Sequence, residues 1–71
     1  MFKNKKQLIL NGEKYTYFSG LKLLTLLNYL GFSTNLIVVD YNGILLQKQF
    51  WSSTVLKDRD TIEILTIAGG G

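Results

Sequence analysis

Apolar and polar positions alternate at both ends of the chain and recur at helical spacing in one place. Gln7-Leu8-Ile9-Leu10 reads as a first strand, and Glu13 to Phe18 as its return. Tyr15 and Tyr17 alternate with Lys14 and Thr16, which puts the two tyrosines on one face. Between the strands stands Asn11-Gly12, the pair that a tight hairpin turn with positive φ at both central positions selects. Leu8 and Leu10 fall on the inner phase and Ile9 on the outer. After Ser19-Gly20, residues Leu23, Leu26, Leu27 and Leu30 follow the i, i+3, i+4, i+7 spacing of a helix with one buried face. The spacing predicts a helix over 21–30, closed by Gly31 in left-handed geometry. Leu36-Ile37-Val38-Val39-Asp40-Tyr41 is the most strand-prone run, and Asn42-Gly43 repeats the hairpin signal before Ile44-Leu45-Leu46. Residues 47–56 have no clean period, and their Phe50-Trp51 pair is read as a plug for the end of the core. Lys57-Asp58-Arg59-Asp60 reads as a charged turn, and residues 61–67 as a last strand with Ile62 and Ile64 inward.

The order is hairpin, helix, hairpin, irregular crossing, strand. One helix on a mixed sheet of four to five strands gives two layers around one core, an α+β domain. Placing the first and last strands side by side and parallel at the sheet centre yields the β-grasp arrangement. The domain is expected over residues 1–67, with a basic arm over 1–6 and a flexible glycine-rich tail over 68–71. The expected core is Leu8, Leu10, Tyr15, Leu23, Leu27, Leu30, Ile37, Val39, Ile62 and Ile64. A sheet covered on one side reads polar on the other, yet Ile9, Val38 and Leu65 take the outward phase of their strands. On adjacent strands they would form a patch suited to partner docking.

Composition closes most chemical routes. The chain of 71 residues has no Cys and no His, which removes disulfides, thiolate and imidazole metal ligands, and the usual base–nucleophile pairs. No metal site is expected. The five carboxylates include Asp58 and Asp60, but these flank Arg59 and read as a local charge pattern. No glycine-rich loop leads into a helix, so no phosphate cradle is expected. Such a chain carries no active site of its own and is not read as an enzyme. The formal charge of +3 owes much to Lys3, Lys5 and Lys6. Arg59 is the sole arginine and has acidic neighbours on both sides, so a nucleic-acid face is not expected. No apolar run approaches the ~20 residues of a membrane span. The chain is expected where it is made, in cytoplasm or plastid stroma.

The chain ends Ala68-Gly69-Gly70-Gly71. Glycine makes up ~7% of residues on average, so three together at one place arise by chance about three times in ten thousand. A tail without Cβ atoms extends through a narrow channel and lets another protein's groups approach its carbonyl. Its terminal carboxylate, with a pKa of roughly 3.3–3.7, is ionised at neutral pH. Such a group can attack the α-phosphate of ATP, and a sulfur nucleophile can then displace AMP to leave a thiocarboxylate.

With these features in order, the sequence resembles the ThiS family, the sulfur carriers of thiamine thiazole synthesis. The resemblance rests on the strand ending in Asn11-Gly12, the Leu23–Leu30 stretch, and the apolar strand into Asn42-Gly43. It continues through Trp51, Ser53-Thr54-Val55-Leu56, Asp58-Arg59-Asp60 and Ile62-Glu63-Ile64, and ends at Gly69-Gly70-Gly71. It implies a β-grasp carrier, monomeric when free and binding no cofactor. Its Gly71 carboxylate would be adenylated by a ThiF-type, E1-like enzyme that uses ATP. Sulfur would come through a cysteine desulfurase and pass to a ThiG-type thiazole synthase, with Gly69 and Gly70 giving the tail its reach. The chain departs from the family pattern at Gln47-Lys48, where a Pro-Arg pair is common, and at Lys22-Leu23, where Thr precedes an aliphatic residue. Its arm before Gln7 is also longer than usual. Two other readings share parts of this picture. A carrier resembling the small subunit of molybdopterin synthase, or an Urm-like modifier, would use the same terminus. A β-grasp interaction module would use only the sheet face.

Overall fold

Two Asn-Gly turns determine how the sheet is laid out. In the computed structural model, which describes residues 4–67, Asn11 and Gly12 have φ of 50° and 84°, and Asn42 and Gly43 have 54° and 86°. Each turn joins an antiparallel pair: β1 (Lys5–Leu10) with β2 (Glu13–Phe18), and β3 (Ile37–Tyr41) with β4 (Ile44–Leu46). The last strand, β5 (Asp60–Thr66), lies between the hairpins, parallel to β1 and antiparallel to β3. The order β2-β1-β5-β3-β4 is the mixed five-stranded sheet of the β-grasp fold.

The asparagines do more than turn the chain. The Asn11 Oδ1 accepts the Ile64 N–H at 2.8 Å, and the Asn42 Oδ1 accepts the Thr61 N–H at 2.7 Å. Their own N–H groups donate to the carbonyls of Ile62 and Thr61. Both turns are thereby fastened to the central strand, and either side-chain bond would be lost with Gly in place of the asparagine.

The helix α1 (Leu23–Tyr29) covers one face of the sheet. Its buried Leu23, Leu26 and Leu27 pack with Leu8, Leu10, Ile37, Val39, Ile62 and Ile64. Gly31, with φ of 85°, follows the C-cap Leu30. The helix begins two residues later than its periodicity predicts. Leu21 and Lys22 are extended against residues 54–56: the Leu56 N–H donates to the Leu21 carbonyl, and the Leu23 N–H to that of Thr54. A neighbouring segment satisfies the helix start, which explains why no capping side chain marks it.

Four further readings are corrected. Lys5 and Lys6, assigned to a basic arm, belong to β1, because a two-residue turn with Leu10 opposite Glu13 brings them opposite Phe18 and Tyr17. Tyr15 is only half-buried, since β2 is an edge strand, and Tyr17 is the buried tyrosine. Leu30 is half-buried at the helix end. Of the aromatic pair, Trp51 fills the core, 2% exposed, with its Nε1–H donating to the Leu46 carbonyl at 3.0 Å, whereas Phe50 is exposed. Trp51 is turned inward by a 3₁₀ segment, Lys48–Ser53.

Asp60 is the largest departure. Read as part of a solvated turn, it is 5% exposed and opens β5. Its carboxylate accepts hydrogen bonds from the Tyr41 hydroxyl (2.5 Å), the Asn42 amide (3.0 Å) and the Lys57 N–H (2.7 Å). Three donors satisfy a buried carboxylate that has no ion pair among the described residues. Burial, and then the bond to Asp60, push the Tyr41 hydroxyl well above its usual pKa. Burial also raises that of Tyr17, with the Asp60 and Asp58 charges adding to the effect. Beside this cluster, Arg59 has φ of 69°, a left-handed conformation that Asn tolerates but that costs other residues ~1–2 kcal/mol.

Candidate functional site

The chain leaves the sheet from its central strand. Leu10 faces Ile62 in the parallel ladder, and the Asn11 side chain takes up the Ile64 N–H. On the other side, β3 accompanies β5 to its end, with Ile37 opposite Thr66 and the Ile67 N–H donating to the Leu36 carbonyl at 2.7 Å. Residue 67 is thus fixed by a sheet bond one position before Ala68. Gly69, Gly70 and Gly71, the residues read as the reactive tail, lie outside the described residues, as does the tail's expected flexibility.

On the face away from α1, the root of the tail has an apolar surround. Val38 and Leu65 stand opposite each other on β3 and β5. Leu65 is 60% exposed, and exposed Leu36 and Ile67 belong to the same end of the sheet. Ile9 does not join them. It pairs with Thr61, four residues up β5 from Leu65, or about 13 Å along the strand. Glu63, on the same phase, intervenes, with Asp40 opposite it. Of the three residues read as one patch, the structure brings two together. The missed members, Leu36 and Ile67, carry a signal in their phase, since each is two positions from a residue already counted.

A cation stands at the tail's root. Lys48 donates to the side-chain oxygen of Asn35, the neighbour of Leu36. A groove of about 280 Å³ runs beside it, lined by Val38, Leu45, Leu46 and Trp51 among others. Among the described residues no cluster of three or more His, Cys, Asp or Glu side chains could hold a metal ion. Asp40 is engaged in its own hairpin, accepting the Gly43 N–H at 2.8 Å.

One helix on a mixed sheet with its last strand at the centre is the ubiquitin-like, β-grasp class of fold. The comparison with known proteins specifies the family. The ThiS family profile matches residues 8–71, and the chain belongs to that family. A ThiS thiamine biosynthesis protein from Geobacter metallireducens has a similar solved structure. Its TM-score is 0.76 and its identity 32%, over 92% of this chain and 99% of that one. The chain is 38% identical to the ycf40 protein of Trieres chinensis over 66 residues, 93% of this chain and 90% of that one. It is 42% identical to the ycf40 protein of Porphyra purpurea over 62 residues, 87% of each.

Proposed function

We propose that the protein is a sulfur carrier whose Gly71 carboxylate is the working group. In this reading an E1-like enzyme adenylates that carboxylate with ATP, and a sulfur nucleophile displaces AMP to leave a thiocarboxylate. The thiocarboxylate then donates its sulfur to thiamine thiazole synthesis. The chain is a co-substrate of its partners, a ThiF-type adenylating enzyme and a ThiG-type thiazole synthase, with sulfur arriving through a cysteine desulfurase. One observation carries the reading: the family match runs through the terminal glycines to residue 71. The fold supports it, because β5, held on both sides, delivers the chain to a defined exit. The ycf40 relatives favour the plastid stroma over the cytoplasm. No helix among the described residues is long and apolar enough to cross a membrane.

Intact mass spectrometry of the chain from its native host tests the chemistry. The expected result is a fraction in which sulfur replaces one terminal oxygen, and which reverts on hydrolysis. A chain found wholly as carboxylate while thiazole is being made would remove the carrier reading.

Val38 and Leu65, beside the tail root, form the docking surface in this proposal, and Ile9 lies beyond its edge. Leu65→Glu places a charge where a partner would exclude water. It is expected to raise the KM for the chain in adenylation roughly tenfold or more, with melting unchanged because Leu65 is exposed. An unaltered KM with both partner enzymes would return this strip to plain surface.

A further inference from the structure

Arg59 is held in a conformation that favours glycine, with φ of 69°. Nothing within the described chain repays its side chain for being there. The side chain is 88% exposed, and its ion pair is a 4.0 Å approach of Nε to the Asp58 carboxylate. Such surface pairs contribute little to folding. The backbone needs the left-handed turn, because the Arg59 N–H donates to the Gln7 carbonyl at 2.5 Å and the Asp60 N–H to that of Lys57. It does not need an arginine.

The turn sets the guanidinium over the helix-free face of β1 and β2. There it lines two adjoining cavities of about 270 and 430 Å³, which share Gln7 and Arg59. Lys14 lines the first and Lys5 the second. The register orders these cations. Lys5 is on β1, Arg59 bonds beside Gln7, and Lys14 stands opposite Ile9. The three therefore stand at every second level along β1, over about 13 Å of its length, with Lys5 on β1 itself, Lys14 on the β2 side and Arg59 on the β5 side. Asp58 is the acid in this groove, and its Oδ1 is occupied by the Gln7 N–H at 2.8 Å.

We propose that this groove binds an extended acidic segment of a protein partner, with carboxylates at alternate positions. An extended chain repeats its side chains on one face every ~6.6 Å, the same step that separates the levels of the three cations along β1, and their long side chains span the width between the strands. The surface is separate from the apolar strip at the tail root, and Glu63 and Asp40 stand between the two on the same face. It makes no use of the terminal carboxylate, so it can be tested on the chain alone.

The test is an NMR titration of the isotopically labelled full chain with a blocked pentapeptide, Glu-Thr-Glu-Thr-Glu. Its Gln-Thr-Gln-Thr-Gln counterpart, inorganic phosphate and a short single-stranded oligothymidylate serve as further probes. The expected result is saturable shifts at residues 5–9, 14–16 and 58–59 with the acidic peptide and none with the glutamine peptide. Arg59→Gly should weaken binding roughly threefold or more while the melting temperature stays level or rises, since glycine relieves the left-handed backbone. Arg59→Lys should retain most of the affinity. Equal or tighter binding of phosphate or the oligonucleotide, shifts centred elsewhere, or unchanged affinity in Arg59→Gly would overturn the proposal. A lower melting temperature for Arg59→Gly would do so as well, by showing that the arginine serves the fold.

Discussion

Deleting Gly71 alone is expected to abolish adenylation while leaving the melting temperature unchanged. The deletion draws the terminal carboxylate back by up to ~3.6 Å of extended chain. Misplacement of reacting atoms by only ~1 Å costs about a hundredfold in rate, because the acceleration depends on their alignment. Adding Ala after Gly71 is expected to fail for a different reason, since it carries the carboxylate one residue further out and gives the reacting residue a Cβ. Neither change removes a side chain from the domain, whose last sheet bond among the described residues is made by Ile67. ATP–pyrophosphate exchange with the cognate adenylating enzyme compares the intact, shortened and extended chains. Equal exchange by all three would show that the terminus is not the reacting group.

Asp60→Ala should be the most damaging single change to the fold outside the apolar core. It strips an acceptor from Tyr41, Asn42 and Lys57 together. Loss of one such partner costs about 1–3 kcal/mol, and Tyr41 and Asn42 can turn partly to water. The expected loss is about 2–4 kcal/mol, against a total stability of roughly 5–15 kcal/mol for a domain. In a chain this short that corresponds to a fall in melting temperature of at least about 10 °C. Asp60→Asn keeps an acceptor and should cost less. The alkaline limb should move as well. With the Tyr41 pKa raised in the fold, the stability gained by keeping its phenol neutral is fully present below pH 10 and is lost as pH climbs through the folded value. Removing Asp60 lowers that folded value and narrows the window. Calorimetry across pH for parent and variant checks both effects, and a loss under ~1 kcal/mol at neutral pH would deny Asp60 its anchoring part.

Why Asp60 escapes a reading of the sequence is instructive. Asp58-Arg59-Asp60 has the composition of a solvated turn, and two of its members are solvated. What ties down the third is Tyr41 and Asn42, positions 19 and 18 residues away that local pattern cannot couple to it. The hairpins and helix are legible for the opposite reason. Asn-Gly fixes its own dihedrals, and leucines at helical spacing need only one face to hide. The start of α1 is illegible because its cap is the backbone of residues 54–56. The glycine terminus is plain in the sequence because it is a matter of composition, but its surroundings are not. Periodicity put Ile9, Val38 and Leu65 on one face, and only the strand register separates Ile9 from the other two.

The place of β5 at the middle of the sheet also bears on how the protein is made. Its bonds reach back nearly the whole length of the chain: the Ile64 N–H meets Asn11, 53 positions earlier, and the Gln7 N–H meets Asp58, 51 positions later. Neither hairpin has a partner along its inner edge until that strand arrives. In synthesis from the N-terminus the sheet therefore closes last at its centre, only once β5 is available to join both hairpins. A chain cut short before β5 lacks the centre of its sheet. Such a product keeps the inner edges of both hairpins unpaired and stays open to proteases.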